Sequence, residues 1–386
     1  MSFEIGIYHF GELTPDPHSG VNRSPQQRLH ELVEQAEVAD QAGLSVFGLG
    51  EHHRPDFAVS APSVVLGAIA ERTTQIHLSP AVVVLSSDDP VRVFEQISTV
   101  DNLSDGRAEL IVGRGSFTES FPLFGYPLSA YDELFEEKLD LLARIQTEDP
   151  ITWSGKRRPA LDHADIAPRP VGRRRIPTWI AVGGTPASVV RAAQHGLPLA
   201  LGILGGRIDG FAPFVQLYRK TWAALGHDLS DAKVSVNGPG FVAPTSQQAI
   251  DLSHPYFAAG MQENFHQRGQ GFAVPKNAYE AMASPEGALF VGSPAQITEK
   301  ILAQHESYHH VRYIMQLGYG NVPQRESLQA IELLGTEVLP AVRAALGADG
   351  ARTVGEPGRV DGVAQTSAAG TGDGAEGAGA PVGSAR

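Results

Sequence analysis

The stretch Ser45-Val46-Phe47-Gly48-Leu49-Gly50-Glu51-His52-His53-Arg54-Pro55-Asp56-Phe57 joins a short apolar run to a carboxylate, two imidazoles and a guanidinium. Its first half reads as a β-strand, and its second half crowds polar groups at the carboxyl end of that strand. Such groups are costly in a core and useful in a site. A surface turn with freely titrating histidines is the competing reading of the segment alone. The site reading gains weight because the same arrangement, a strand ending in functional residue types, recurs along the chain.

Outward from this stretch, short β-branched runs alternate with longer amphipathic ones, which points to a parallel α/β architecture. Residues 3–9 read as a first strand. Ser24 and Pro25 supply an N-cap and a first-turn proline for a helix to about residue 42, where Gly43 stops it. The second strand, 46–50, leads to a helix over 61–72, in which Val64, Val65, Ala68 and Ile69 recur at helical spacing. A third strand, 76–85, precedes Asp88-Asp89-Pro90, which reads as a capped helix start rather than a catalytic carboxylate pair. Further strands are expected at 108–113, 178–182, 199–203, 233–242 and 313–317. Helices are expected at 90–102, 131–146, 187–195, 208–225 and 324–345. Eight strand–helix repeats predict a (β/α)8 barrel of the TIM type occupying residues 1–347.

Two segments break the alternation and are expected as insertions at the carboxyl face of the strands: the aromatic stretch 115–130 and the polar stretch 246–287, the latter as a mobile lid. Residues 348–386 are dominated by Gly, Ala, Ser, Thr and Pro and are expected to be a disordered tail.

Composition narrows the function. With 386 residues and a net charge of -13, the chain has room for a large core and no excess of basic groups for nucleic acid. There are no cysteines, which excludes disulfides, thiolate catalysis and Cys-ligated metals. No signal-like or membrane-spanning run is evident, so a cytoplasmic protein is expected.

The strand ends carry further chemistry. After the fourth strand, Gly113-Arg114-Gly115 offers close backbone approach and a guanidinium fork suited to phosphate. After the fifth, Gly183-Gly184-Thr185-Pro186-Ala187-Ser188 leads through hydroxyl residues into a helix, an arrangement that favours an anion. A Gly-Gly pair also serves tight turns for geometric reasons alone, but with Arg114 it points to a phosphate-bearing cofactor. Glu51, His52, His53 and Asp56 could instead ligate a metal, although neighbouring strand residues point to opposite faces and no other histidine spacing rescues that reading. The pair His309-His310 reads as a solvated turn before the last strand.

The segments GEHHRPDFAVSAP, AVVVLSSDDPVRVFEQ, LSDGRAELIVGRGSFTESFPLFGY, YDELFEEKLDLL and PTWIAVGGTPASVVRAAQHGLPLALGI together resemble the bacterial-luciferase-like family of flavin-dependent monooxygenases and oxidoreductases. The resemblance covers residues 3 to about 343. It implies a (β/α)8 barrel, usually a homodimer, with FMN at the carboxyl face of the strands. By position, Arg114, Gly115 and the turn Gly183, Gly184, Thr185 and Ser188 would bind the flavin phosphate. Ala81 and Val82 fall where relatives often place a non-proline cis peptide beneath the flavin ring. His52 would sit over the ring as a catalytic residue. Glu51 either orients the histidine pair or serves as a structural carboxylate bonded to backbone amides. His53 and Phe117 are candidates for contact with a small apolar substrate, and Arg54 either shares that contact or stabilises the loop.

The mechanism implied is two-component oxygenation, with reduced FMN delivered by a separate flavin reductase. Some relatives use a deazaflavin coenzyme for hydride transfer, and some bind flavin without established catalysis; both remain open alternatives.

Overall fold

The computed structural model describes residues 2–115, 117–266 and 273–350. Its strands, in chain order, are β1 (Glu4–His9), β2 (Val46–Leu49), β3 (His77–Val84), β4 (Leu110–Gly113), β5 (Ile151–Trp153), β6 (Leu161–Ala164), β7 (Thr178–Val182), β8 (Leu199–Gly202), β9 (Val234–Val242), β10 (Phe290–Gly292) and β11 (Arg312–Leu317). Eight of them close a parallel barrel in the order β11-β1-β2-β3-β4-β7-β8-β9, with β9 pairing back onto β11. These are the eight strands expected from the sequence. The hairpin β5/β6 lies outside the barrel, and β10 runs parallel beside the far end of β9.

The helices are α1 (Pro25–Gln41), α2 (Pro62–Ala70), α3 (Pro90–Leu103), α4 (Ser120–Phe124), α5 (Tyr131–Ile145), α6 (Pro186–Gln194), α7 (Ala212–Ala224), α8 (Ser246–His266), α9 (Lys276–Ala283), α10 (Pro294–Tyr308), α11 (Gln324–Leu333) and α12 (Leu339–Gly350). Their starts follow the side-chain chemistry. Ser24 accepts the amide of Gln27 ahead of Pro25, and Asp89 accepts the amides of Val91 and Arg92 ahead of Pro90.

Strand alternation divides the interior in two. Tyr8, Val46, Ala81, Ile111, Trp179, Ala200 and Ile314 point into the barrel, whereas Ile5, Ile7, Phe47 and Leu49 join the larger apolar layer beneath the helices. The amino-terminal end of the barrel is plugged by Arg312, which donates to Glu109 at 2.6 Å and 3.1 Å and lies 4.7 Å from the Trp179 ring centre. Removing one partner of so buried a pair costs about 3–5 kcal/mol, so this end carries structure and leaves the carboxyl end for ligand.

Several expectations change in detail. The single helix over 324–345 is two helices joined by a π-turn, Leu334–Val338, where Gly335 lies so close to Ala42 that a Cβ would meet its carbonyl oxygen at 2.3 Å. Helix α10 was not anticipated, although Ser293-Pro294 repeats the start signal of Ser24-Pro25, and Ser293 accepts the amide of Gln296. His310 is no solvated turn: it is fully buried against Phe3, at 5.1 Å between ring centres, and burial holds its pKa well below the ordinary imidazole value. The stretch 246–287 folds largely as α8 and α9; residues 267–272, at the centre of the expected lid, lie outside the described residues. Of the expected tail, 348–350 end α12, and 351–386 lie outside the described residues. Among the described residues no helix is long and apolar enough to cross a membrane.

Candidate active site

A cavity of about 530 Å³ opens at the carboxyl end of the barrel strands, within the range of roughly 300–1,000 Å³ that encloses cofactor-sized ligands. It brings together Glu51, His52 and His53 from the end of β2, Ala81 and Val82 from β3, and Arg114, Gly115 and Phe117 from the end of β4. Gly183, Thr185 and Ser188 complete the wall from the turn after β7. Of the residues expected to bind the cofactor, Gly184 alone is not part of the cavity wall; it holds the turn at a φ of +102°.

The phosphate-like end is built at the start of α6. Ser188 Oγ accepts from Arg114 at 2.8 Å and from the Thr185 hydroxyl at 2.7 Å, with Arg191 at 3.4 Å. Arg114 also pairs with Asp132 and lies 5.1 Å from the Tyr131 ring centre. Thr185 makes no side-chain cap on α6 because its hydroxyl is turned to Ser188. A Cβ added to Gly183 would meet nothing within 4 Å, so backbone there is open to close approach. Convergent guanidinium and hydroxyl donors beside a helix start and a bare glycine form a cradle that fits a phosphate.

The floor is formed at β3, where the Ala81–Val82 peptide is cis, as the resemblance implied. The β3–β4 pairing shifts register between Ala81 and Val83. Gly113 lies against this point; a Cβ on it would be 3.0 Å from the Val82 side chain.

At the other end, the turn after β2 is tied to the segment after β1. Glu12 bridges to Phe57, and Gly50 leaves room for the Phe10 ring, whose Cδ1 would lie 2.0 Å from an added Cβ. His52 is 7% exposed. Its ring stacks on Phe57 at 4.2 Å and meets Phe10 at 4.8 Å and Phe117 at 4.6 Å, so a titratable side chain is set in an aromatic box. The two readings of Glu51 both hold in part. One oxygen lies 2.8 Å from His53 Nε2, and the other accepts the amide of Val84 at 3.2 Å. Glu51 therefore orients His53, not His52. Arg54 is taken up by a fork with Asp56 at 2.9 Å and 2.6 Å and lies over Phe57 and Phe117, which makes it a loop-stabilising residue.

The partner of His52 is Glu119, which sequence reasoning missed. Its Oε1 lies 3.2 Å from His52 Nδ1 and 3.5 Å from the His53 amide. Burial pushes the Glu119 carboxyl up, but hydrogen bonds from His52 and the backbone outweigh it and hold the group below its ordinary value. Behind the site, Asp88 is pushed up to about 6, chiefly by burial, and Lys138, which donates to the Ser86 carbonyl at 2.8 Å, is pushed down to about 8 by burial. Beneath the cavity, the Tyr8 hydroxyl donates to Gln316, which in turn donates to a buried Glu12. Among the described residues, no three His, Asp or Glu side chains are grouped to hold a metal ion.

Comparison with known proteins places this geometry in context. The chain is 25% identical to an N-acetyl-S-alkylcysteine monooxygenase of Bacillus subtilis, over 84% of this chain and 96% of that one. In fold it matches the oxygenating constituent of 3,6-diketocamphane monooxygenase from Pseudomonas putida, solved with FMN, at a TM-score of 0.72, with 20% identity over 88% of this chain and 99% of that one. It also matches a deazaflavin-coenzyme-dependent tetrahydromethanopterin reductase from Methanopyrus kandleri at a TM-score of 0.64, with 17% identity over 88% and 99% of the two chains. The model of the luciferase-like monooxygenase family matches residues 3–310, which takes in every barrel strand but the last, and the chain belongs to that family of enzymes.

Proposed function

We propose that this enzyme is a two-component, FMN-dependent monooxygenase that takes reduced FMN from a separate reductase and acts with oxygen on a small apolar organic substrate. The observation that carries this reading is the convergence of Arg114, Thr185 and Arg191 on Ser188 Oγ, at one end of a cavity whose other end holds His52. That cradle suits a phosphate monoester, and the space between the two ends suits a flat ring system.

When bound in its reduced form, FMN supplies the reaction with dioxygen. The residues of the chain then have separable tasks. Arg114, Gly115, Gly183, Gly184, Thr185 and Ser188 hold the phosphate. Ala81 and Val82 form the surface under the ring. Phe10, Phe57 and Phe117 keep water from His52, and His52 moves a proton at its ring nitrogen. Glu51 fixes His53, which with Phe117 faces the substrate. The exposed, apolar Leu204 at the cavity mouth adds to the preference for an apolar substrate.

A homodimer is part of this reading because the family resemblance implies it. A cytoplasmic setting is supported by the absence of cysteine and by the need for a reductase.

Deazaflavin-dependent hydride transfer is the second reading, because a phosphate cradle serves either coenzyme. The test supplies reduced FMN and ¹⁸O₂ with a panel of small apolar aldehydes, ketones and thioethers. Label in the product is the expected result. Anaerobic oxidation of an alcohol with reduction of a deazaflavin coenzyme would replace the proposal.

A further inference from the structure

The geometry points to Glu119 as the positioning residue of His52: its carboxylate accepts the Nδ1 proton of the neutral ring and so leaves Nε2 as the nitrogen that takes up and returns protons. This rests on the proposed proton-transfer role of His52. It assigns a function to a side chain that comes from a different βα connection, 67 residues further along the chain.

Three observations support it. Glu51 cannot do this work, because its two oxygens are committed to His53 Nε2 and to the Val84 amide. Glu119 Oε1 meets both His52 Nδ1 and the His53 amide, so one carboxylate fixes the ring and the backbone that follows it. Among the described residues, Nε2 of His52 has no hydrogen-bond partner, while the ring is walled by Phe10, Phe57 and Phe117. An ionised carboxylate on Nδ1 selects the Nδ1–H tautomer and favours imidazolium once Nε2 accepts a proton. The proton taken at Nε2 makes an imidazolium–carboxylate pair, and its return restores the neutral ring; no other bond changes.

Glu119 lies just ahead of α4, in the segment that also supplies Phe117 and the buried Phe121. The tautomer of His52 is therefore set only when the segment after β4 is seated on the turn after β2. Other charged groups near the ring are already engaged. Glu12 approaches from the segment after β1 and is tied to Gln316, Glu51 is tied to His53, and Arg54 is forked to Asp56.

The experiment is a histidine-selective ¹⁵N NMR titration of the full chain, with His52→Gln identifying the signal. Wild type is expected to show the Nδ1–H tautomer at high pH. In Glu119→Gln the preference for that tautomer is expected to weaken, with Glu119→Asp in between. An Nε2–H tautomer in wild type, or the same tautomer preference in Glu119→Gln as in wild type, would overturn the assignment. The wild-type tautomer needs no Glu119 variant to fold, only the His52→Gln chain that identifies the signal. The titration needs no flavin, so failure of wild type to bind FMN would count against the proposed function and leave this test standing.

Discussion

The two ends of the cavity are built on different principles. The phosphate-like end is local: Thr185 and Ser188 belong to one turn and the helix start that follows it, and Arg114 reaches them from a neighbouring strand end. The histidine end is composite: His52 depends on Phe10 from the end of β1, Phe57 from its own turn, and Phe117 and Glu119 from the segment after β4. A site made of adjacent residues tolerates motion of the loops around it, whereas a site assembled from three connections works only when all three are seated. Binding of the cofactor and chemistry on the substrate should therefore respond differently to mutation.

The largest effect is expected at the histidine end. His52→Gln should lower oxygenation of the substrate panel by about 10²–10⁴-fold while leaving the FMN Kd nearly unchanged; both are measured by product analysis and anaerobic fluorescence titration. A matching loss of FMN affinity would break the division between the ends.

A smaller effect is expected from the joint that seats the histidine turn. Gly50→Ala forces the Phe10 ring to move, because an added Cβ would lie 2.0 Å and 2.3 Å from two of its carbons. Overpacking of this kind costs about 1–3 kcal/mol. Urea unfolding should register it, and oxygenation should fall more than FMN binding as the ring disturbs His52. Wild-type stability with wild-type turnover would show that the aromatic box is looser than described.

The smallest effect concerns the charge behind Glu51. Burial pushes the Asp88 carboxyl up to about 6 in the fold from an ordinary 3.8. Between these values the folded chain holds a proton that the unfolded chain has lost, so stability falls as pH rises through that window. Asp88→Asn removes the penalty. The variant should gain on wild type above about pH 6, by about 1 kcal/mol after allowing for the partial exposure of the group. The gain should vanish below about pH 4. Thermal melts across that range check it, and a gain that grows toward low pH would reverse the assignment.

The same local-versus-composite distinction explains what sequence alone could and could not supply. The barrel strands were readable because each is a short, largely apolar run buried on both faces, bounded by glycine or by a capped helix start such as Asp89-Pro90. The phosphate-like end was readable because its residues fall in two short runs at strand ends, 113–115 and 183–188, although the contact that joins them spans 74 residues. The strand β10 was not, since three residues pair only with the extension of β9 and carry no period of their own. His310 was misread because its burial depends on Phe3, at the other end of the chain. Glu119 stood within a quoted motif, but its role is fixed by a contact across 67 residues that no local spacing encodes. Glu51 shows the converse error: adjacency suggested that it serves His52, and the turn directs it to His53.

The most direct test of the account is an anaerobic titration of wild type and Arg114→Ala with reduced FMN, riboflavin and a reduced deazaflavin coenzyme. Wild type should prefer reduced FMN to riboflavin, and Arg114→Ala should weaken FMN by about 10–100-fold, the worth of a charged hydrogen bond, with little change for riboflavin. Equal loss of riboflavin and FMN, or no loss of either, would contradict the placement of a flavin phosphate at Arg114.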